Sequence, residues 1–184
     1  MKKKALIVWG GWEGHDPENV AKLFAEKLAE NDFEVEMSHT LDSFADGEKL
    51  KGFNLIIPIW TMGSIDEKYV QNVMGAVENG VGLAGCHGGM CDSFRSSTDW
   101  QFLTGSQWVA HPGGDGVQYT VKPKDGVNDP IIEGIREFPV ISEQYYIHVD
   151  PAAVVLAVTT FPVADGPYTA NGTADVPVVY KKRW

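Results

Sequence analysis

The chain of 184 residues carries 15 basic and 25 acidic side chains, a formal charge of −10, and is 43% hydrophobic and 22% charged. That balance is the one of an ordinary globular protein long enough to bury a sizeable core, and its acidic excess excludes nucleic acid and anionic membrane surfaces as partners. No apolar run reaches the length of a membrane span, the segment after Lys2-Lys3-Lys4 is too short for a signal peptide, and Cys86 and Cys91 make no disulfide framework, so the expectation is one cytoplasmic domain over residues 1–184.

Ala5 to Trp9 is a continuous apolar run closed by Gly10-Gly11, as expected of a parallel strand covered on both faces. Asp16-Pro17 then offers an N-cap with proline at the first helical position. Val20, Leu23, Phe24 and Leu28 recur at helical spacing as far as Asn31. Phe33 to Met37 reads as a second strand and Phe53 to Trp60 as a third. Ser64-Ile65-Asp66-Glu67 has the spacing of a capping box, followed by a helical face of Tyr69, Val70, Val73, Met74 and Val77. Val81 to Gly85 is a fourth strand, and Cys86-His87-Gly88-Gly89 is its exit turn, with Cys91 a packing residue on the helix that follows.

This β-α-β-α-β order predicts an α/β fold with a doubly wound, mostly parallel sheet. Beyond Phe94, glycine, proline and aspartate become frequent. Gln118 to Val121, Val140 to Ile147, Val154 to Thr160 and Val176 to Lys181 read as extra strands, joined by long loops and laid on the same sheet, some of them antiparallel.

In open α/β sheets, ligands collect outside the carboxyl ends of the strands. Three segments belong there: Gly10-Gly11-Trp12-Glu13-Gly14-His15, Trp60-Thr61-Met62-Gly63 and Cys86-His87-Gly88-Gly89. Their glycines let backbone approach a ligand closely, and tryptophan presents a flat face to a sugar ring. No lysine follows the glycines as in a phosphate loop, and no dinucleotide fingerprint is completed. His39 reads as a surface residue. His15, His87, His111 and His148 sit beside Gly or Pro or at strand ends, and Glu143 offers a carboxylate to a shared polar pocket. Such a set serves either as ligands for a divalent metal such as zinc (His87, His111, Glu143 and His148) or as general acids and bases near neutral pH. The second use needs no metal.

Four segments together carry a resemblance: Gly10-Gly11-Trp12-Glu13-Gly14-His15, Gly85-Cys86-His87-Gly88-Gly89, Trp108-Val109-Ala110-His111-Pro112-Gly113-Gly114 and Ser142-Glu143-Gln144-Tyr145-Tyr146. In this order they resemble the ThuA-like, or trehalose-utilisation, proteins, a branch of the class I glutamine amidotransferase-like superfamily with a flavodoxin-like sheet. The resemblance implies that the turn at Ala84-Gly85-Cys86-His87-Gly88 corresponds to the one that carries the amidotransferase nucleophile. It also implies that His87 is the retained feature there. No H-P-E follows a late strand to supply a base for a Cys86 thiolate. In related proteins a further glycine-rich strand and a closing helix follow the position of Tyr180 to Trp184, so the resemblance implies either a truncated C-terminal end or a protein that ends early.

The function so implied is sugar catabolism, on a disaccharide or a 3-keto glycoside, by histidine and glutamate acid–base chemistry. His87, Glu143 and His15 are the catalytic candidates. Gly11, Trp12, Trp60, Gly63, Cys86, Gly88, His111, Tyr145 and His148 are the candidates for binding substrate. A non-catalytic ligand-binding module and a Cys86-dependent amidotransferase or hydrolase are the alternatives, and a homo-oligomer is compatible with each.

Overall fold

The computed structural model describes residues 2–184 and divides into two compact units, the first running through Thr104 and the second spanning Gly105–Arg183. No helix among the described residues is long and apolar enough to cross a membrane.

The first unit is built on four strands, β1 (Lys3–Gly11), β2 (Phe33–Ser38), β3 (Leu55–Thr61) and β4 (Gly82–Leu83), in the order β2-β1-β3-β4. All of its pairings are parallel, and the β1–β3 register runs from Ala5↔Leu55 to Gly11↔Thr61. Helices α1 (Pro17–Glu30), α2 (Gly47–Leu50), α3 (Glu67–Glu78), α4 (Gly88–Cys91) and α5 (Thr98–Thr104) accompany it. The two-residue period of a strand sorts the apolar side chains. Leu6, Val8 and Ile56 join a core with Val70, Val73 and Ala76 of α3 and Trp100 and Leu103 of α5. Ile7, Ile57 and Ile59 meet Ala21, Val20, Phe24 and Leu28 of α1 in another. Each fully buried aliphatic side chain contributes roughly 1.5–3 kcal/mol. Both faces of the sheet are thus covered, which is why β1 and β3 read as unbroken apolar runs.

Local details differ from expectation. Leu23 is 56% exposed and lies outside the buried face of α1. Asp16 precedes α1 with φ 48°, a left-handed conformation, and its carboxylate accepts from the Asn19 amide instead of a backbone N–H. Asp66, not Ser64, caps α3 by accepting from the Lys68 N–H. The fourth strand is only two residues long, Gly82–Leu83, shorter than the Val81 to Gly85 expected.

The second unit holds β5 (Ser106–Ala110), β6 (Val117–Pro123), β7 (Phe138–Ser142), β8 (Tyr146–Val149), β9 (Val154–Phe161) and β10 (Ala174–Lys181). Antiparallel strands are present here as expected, but they form sheets of their own and are not laid on the parallel one. They form an antiparallel sheet of order β10-β9-β6-β7 and a separate β5-β8 pair, β6 having its two edges taken by β7 and β9. The single strand expected over Val140 to Ile147 is split at Gln144. That side chain is fully buried, and its amide donates to Thr159 Oγ1 and the Thr160 carbonyl, both at 2.9 Å, and accepts from the Val163 N–H at 3.0 Å. A side chain committed to those partners draws the backbone out of the ladder between β7 and β8.

Candidate active site

The strand order reverses at β1, which has β2 on one side and β3 on the other, so the carboxyl ends of β1 and β3 mark the switch point where such sheets bind ligands. The chain leaves β1 through Gly11, where a β-carbon would stand 2.2 Å from the Thr61 carbonyl oxygen, and φ is 82°. Only glycine fits. The next residue, Trp12, donates its N–H to that same carbonyl at 3.1 Å. One short turn later His15 is held with Nδ1 2.9 Å from Thr61 Oγ1.

The turn after β4 supplies the second histidine. His87 has φ 53° and ψ −146°, a conformation that costs a non-glycine residue on the order of 1–3 kcal/mol. Its carbonyl oxygen accepts the Met90 and Cys91 N–H groups, each at 3.1 Å, and the Cys91 thiol at 3.2 Å, and these contacts hold it there. Two residues before and two after lie Gly85 and Gly89. A β-carbon at Gly85 would stand 2.9 Å from Met90 Sδ and 3.1 Å from the Pro58 carbonyl, and one at Gly89 2.9 Å from Ile59 Cα. A strained residue centred in G-x-x-x-G between a strand and a helix is the geometry of a nucleophile elbow.

The occupant of the elbow is His87. Cys86, which the sequence aligned with the nucleophile, stands one residue ahead of it. Although Cys86 reaches solvent, the protein around its thiol pushes it up from the ordinary value, against thiolate formation. Cys91 is buried on α4, where burial first and the neighbouring Asp92 second push its thiol up to about 12, as suits a packing residue.

The rings of His15 and His87 meet edge to face with centroids 4.7 Å apart, and a nitrogen of each lies within 4.8 Å of the other. Trp12, 48% exposed, packs edge-on against His15 at 4.7 Å and presents an indole to solvent. Trp60 is placed differently. It packs against the core, with its ring over Gly10 and its indole nitrogen beside Gly63, so Trp12 is the exposed platform of the two. His39 is exposed, its ring 5.9 Å from that of Trp9.

The second unit gathers its own polar group. His111 Nε2 lies 3.4 Å from Glu143 Oε1, and Glu143 is largely buried. Tyr145 stacks on His111 at 5.9 Å with 28° between the planes, and Trp108 contacts both rings. The Tyr119 hydroxyl donates to the Glu143 carbonyl at 3.1 Å. Burial, with a smaller contribution from Glu143, pushes that hydroxyl up, so it stays neutral and a donor. His148 is apart from this group: it is exposed on β8, its ring against Tyr146, with no hydrogen bond or ring contact to His111 or Glu143 among the described residues. It therefore drops out of the ligand set read from the sequence.

Within the first unit two imidazole nitrogens face one another, and within the second an imidazole faces a carboxylate. Both pairs consist of residue types used in acid–base chemistry, and each alone falls short of a three-ligand metal site. Sequence reasoning missed Thr61, Tyr119 and Gln144 as individual residues. Thr61 stood in the segment Trp60-Thr61-Met62-Gly63 and Gln144 in Ser142-Glu143-Gln144-Tyr145-Tyr146, neither with a role of its own.

The family model described as trehalose utilisation, ThuA, matches residues 4–184. No curated protein matches the chain. Among solved structures, a putative ThuA-like protein from Bacteroides uniformis is 20% identical with a TM-score of 0.77, the alignment covering 98% of this chain and 78% of that one. A putative ThuA-like protein from Parabacteroides merdae is 14% identical with a TM-score of 0.71, covering 100% and 76%. A glutamine amidotransferase from Thermotoga maritima is 13% identical with a TM-score of 0.51, covering 85% and 67%. At these identities the structural likeness is one of fold, and it joins the family match in a single conclusion: the chain belongs to the ThuA, or trehalose-utilisation, family.

Proposed function

We propose that this protein cleaves a 3-keto glycoside, such as an oxidised disaccharide, by acid–base chemistry centred on His15 and His87. The observation that carries the reading is His87 itself, held at φ 53° on an elbow with its ring 4.7 Å from that of His15. Strain of this kind persists where surrounding structure enforces it, and it concentrates at functional sites. An imidazole in the nucleophile's seat, with a second imidazole beside it, suits proton transfer.

A ketone at C3 acidifies the C2–H bond. His15 takes that proton, the electron pair forms a C1–C2 double bond, and the bond from C1 to the glycosidic oxygen breaks. His87 gives its proton to the departing oxygen. The products are an unsaturated keto sugar and an alcohol or second sugar, and addition of water across the double bond completes hydrolysis. Trp12, exposed beside His15, stacks on a sugar face. The family's association with trehalose utilisation supports a disaccharide substrate.

The test is incubation with 3-ketotrehalose and with trehalose in deuterated water. Turnover of the keto sugar alone, with deuterium entering at C2, is the expected result. Equal inertness towards both sugars, without exchange, overturns the reading.

A further inference from the structure

We propose that His39, with Trp9 beside it, receives the second sugar ring of the disaccharide whose cleavage is proposed above, and so selects for two-ring substrates. The role rests on that reading of the reaction. Its geometry comes from the first unit alone.

The strand order β2-β1-β3 sets three chain exits side by side along the carboxyl edge of the parallel sheet. His15 belongs to the β3 side of this edge, its Nδ1 2.9 Å from Thr61 Oγ1 at the end of that strand. Trp12, from the loop after β1, packs against it. His39 follows β2 directly. β1 and β2 are in register as far as Val8↔Ser38, so Trp9 and His39 are the next residues in line, and their rings lie 5.9 Å apart. Adjacent strands are spaced by about 4.8 Å, so the line from β3 across β1 to β2 runs about 10 Å, the length of two linked pyranose rings. Laid along this edge with its keto ring at His15, a disaccharide brings its second ring to the end of β2.

His39 is exposed and belongs to neither apolar core of the first unit. Its imidazole has no hydrogen-bond partner among the described residues, so both ring nitrogens are open to sugar hydroxyls. A neutral imidazole offers one donor and one acceptor, which matches a hydroxyl that both gives and takes a hydrogen bond. Trp9 is half-buried against the α1 side of the sheet, which gives His39 a fixed apolar neighbour. Contacts to a ring remote from the reacting carbons hold substrate and transition state alike, so they act on KM and leave kcat alone.

The experiment compares the wild-type protein, His39→Ala and His39→Gln on 3-ketotrehalose and on methyl 3-keto-glucoside, whose leaving group is methanol. In His39→Ala, KM for 3-ketotrehalose is expected to rise about tenfold with kcat little changed, as for one lost hydrogen bond. Both constants for the methyl glycoside are expected to stay at the wild-type values. His39→Gln, whose amide keeps a donor and an acceptor, is expected to recover most of the lost KM. A change of equal size on both substrates, or no change on either, overturns the proposal.

Should the wild type consume neither keto sugar, binding decides. Protein labelled with 15N-histidine, the His39 signals being assigned by their loss in His39→Gln, is titrated with the same two sugars. A shift of the His39 signals by 3-ketotrehalose and not by the methyl glycoside upholds the subsite while the proposed reaction falls. No shift by 3-ketotrehalose, or an equal shift by both, overturns the subsite.

Discussion

Gly88 lies against the His15 ring so closely that a β-carbon there would stand 2.7 Å from Cε1 and 2.9 Å from Nδ1. The glycine after His87 is thus the floor on which the other histidine rests, and the two loops are matched to one another by the absence of a side chain. Gly88→Ala is expected to displace His15 and to cost about 1–3 kcal/mol, as overpacking does. Chemical denaturation checks the cost. Deuterium exchange into a keto sugar, expected to fall while the fold persists, checks the displacement.

His87→Gly separates strain from chemistry. Glycine accepts φ 53° without a steric penalty, though it adds chain entropy to the unfolded state, and the net expectation is a gain of about 1 kcal/mol. Turnover is expected to vanish in the same variant. A less stable His87→Gly protein would show that the lost ring contact and the added chain entropy outweigh the strain.

Cys86 is expected to be dispensable. Its raised thiol keeps the nucleophilic thiolate scarce at neutral pH, so the rate of alkylation by iodoacetamide should have its midpoint above 9.0 on a pH profile. Cys86→Ser should retain the wild-type rate on a keto sugar. Inactivation by stoichiometric thiol reagent would instead return the cysteine to the mechanism.

Stability in acid should depend on Asp150. Its Oδ2 accepts from Lys182 Nζ at 2.7 Å and its Oδ1 from the Ala152 N–H at 2.8 Å, and these, in that order, hold its carboxyl below the ordinary 3.8. A depressed folded value means that the contribution is present above 3.8 and is lost as pH falls through the lower, folded value. Asp129, held down first by Lys181 and then by the Ile131 N–H, behaves alike. The denaturation midpoint of Lys182→Met should lie well below that of the wild type at about pH 6, and the gap should narrow at about pH 3.

Gln144→Leu removes three hydrogen bonds from a fully buried position and leaves the Val163 N–H and Thr160 carbonyl without this partner. A loss of about 3 kcal/mol is expected, read as a lowered midpoint in thermal or denaturant unfolding.

The parallel sheet was legible because period and burial agree along it. Ala5 to Val8 are all buried, and α3 turns Val70 and Val73 to the core as their spacing requires. Caps were less so: Ser64 and Asp66 both have capping side chains, and only the path of the chain chooses between them. In the second half, strand-forming residues were visible but their partners were not, since nothing local in Val117–Pro123 tells it to pair with β7 and β9. At the site, His15 and His87 were legible as residue types beside glycine, whereas the positive φ at His87 was not, because it depends on how Gly85 and Gly89 meet neighbouring residues.

That crowding has a wider consequence. The flanking glycines are dictated by neighbouring backbone and by Met90, and Gly88 by the imidazole above it, while the main chain of the residue between them is held by its own carbonyl contacts to Met90 and Cys91. The turn is therefore a socket with an exchangeable insert: replacing one side chain alters the chemistry on offer without rebuilding the mount. Divergence within such a fold needs only a single codon at its centre, and swaps at that spot are where new catalysts from this scaffold should be sought.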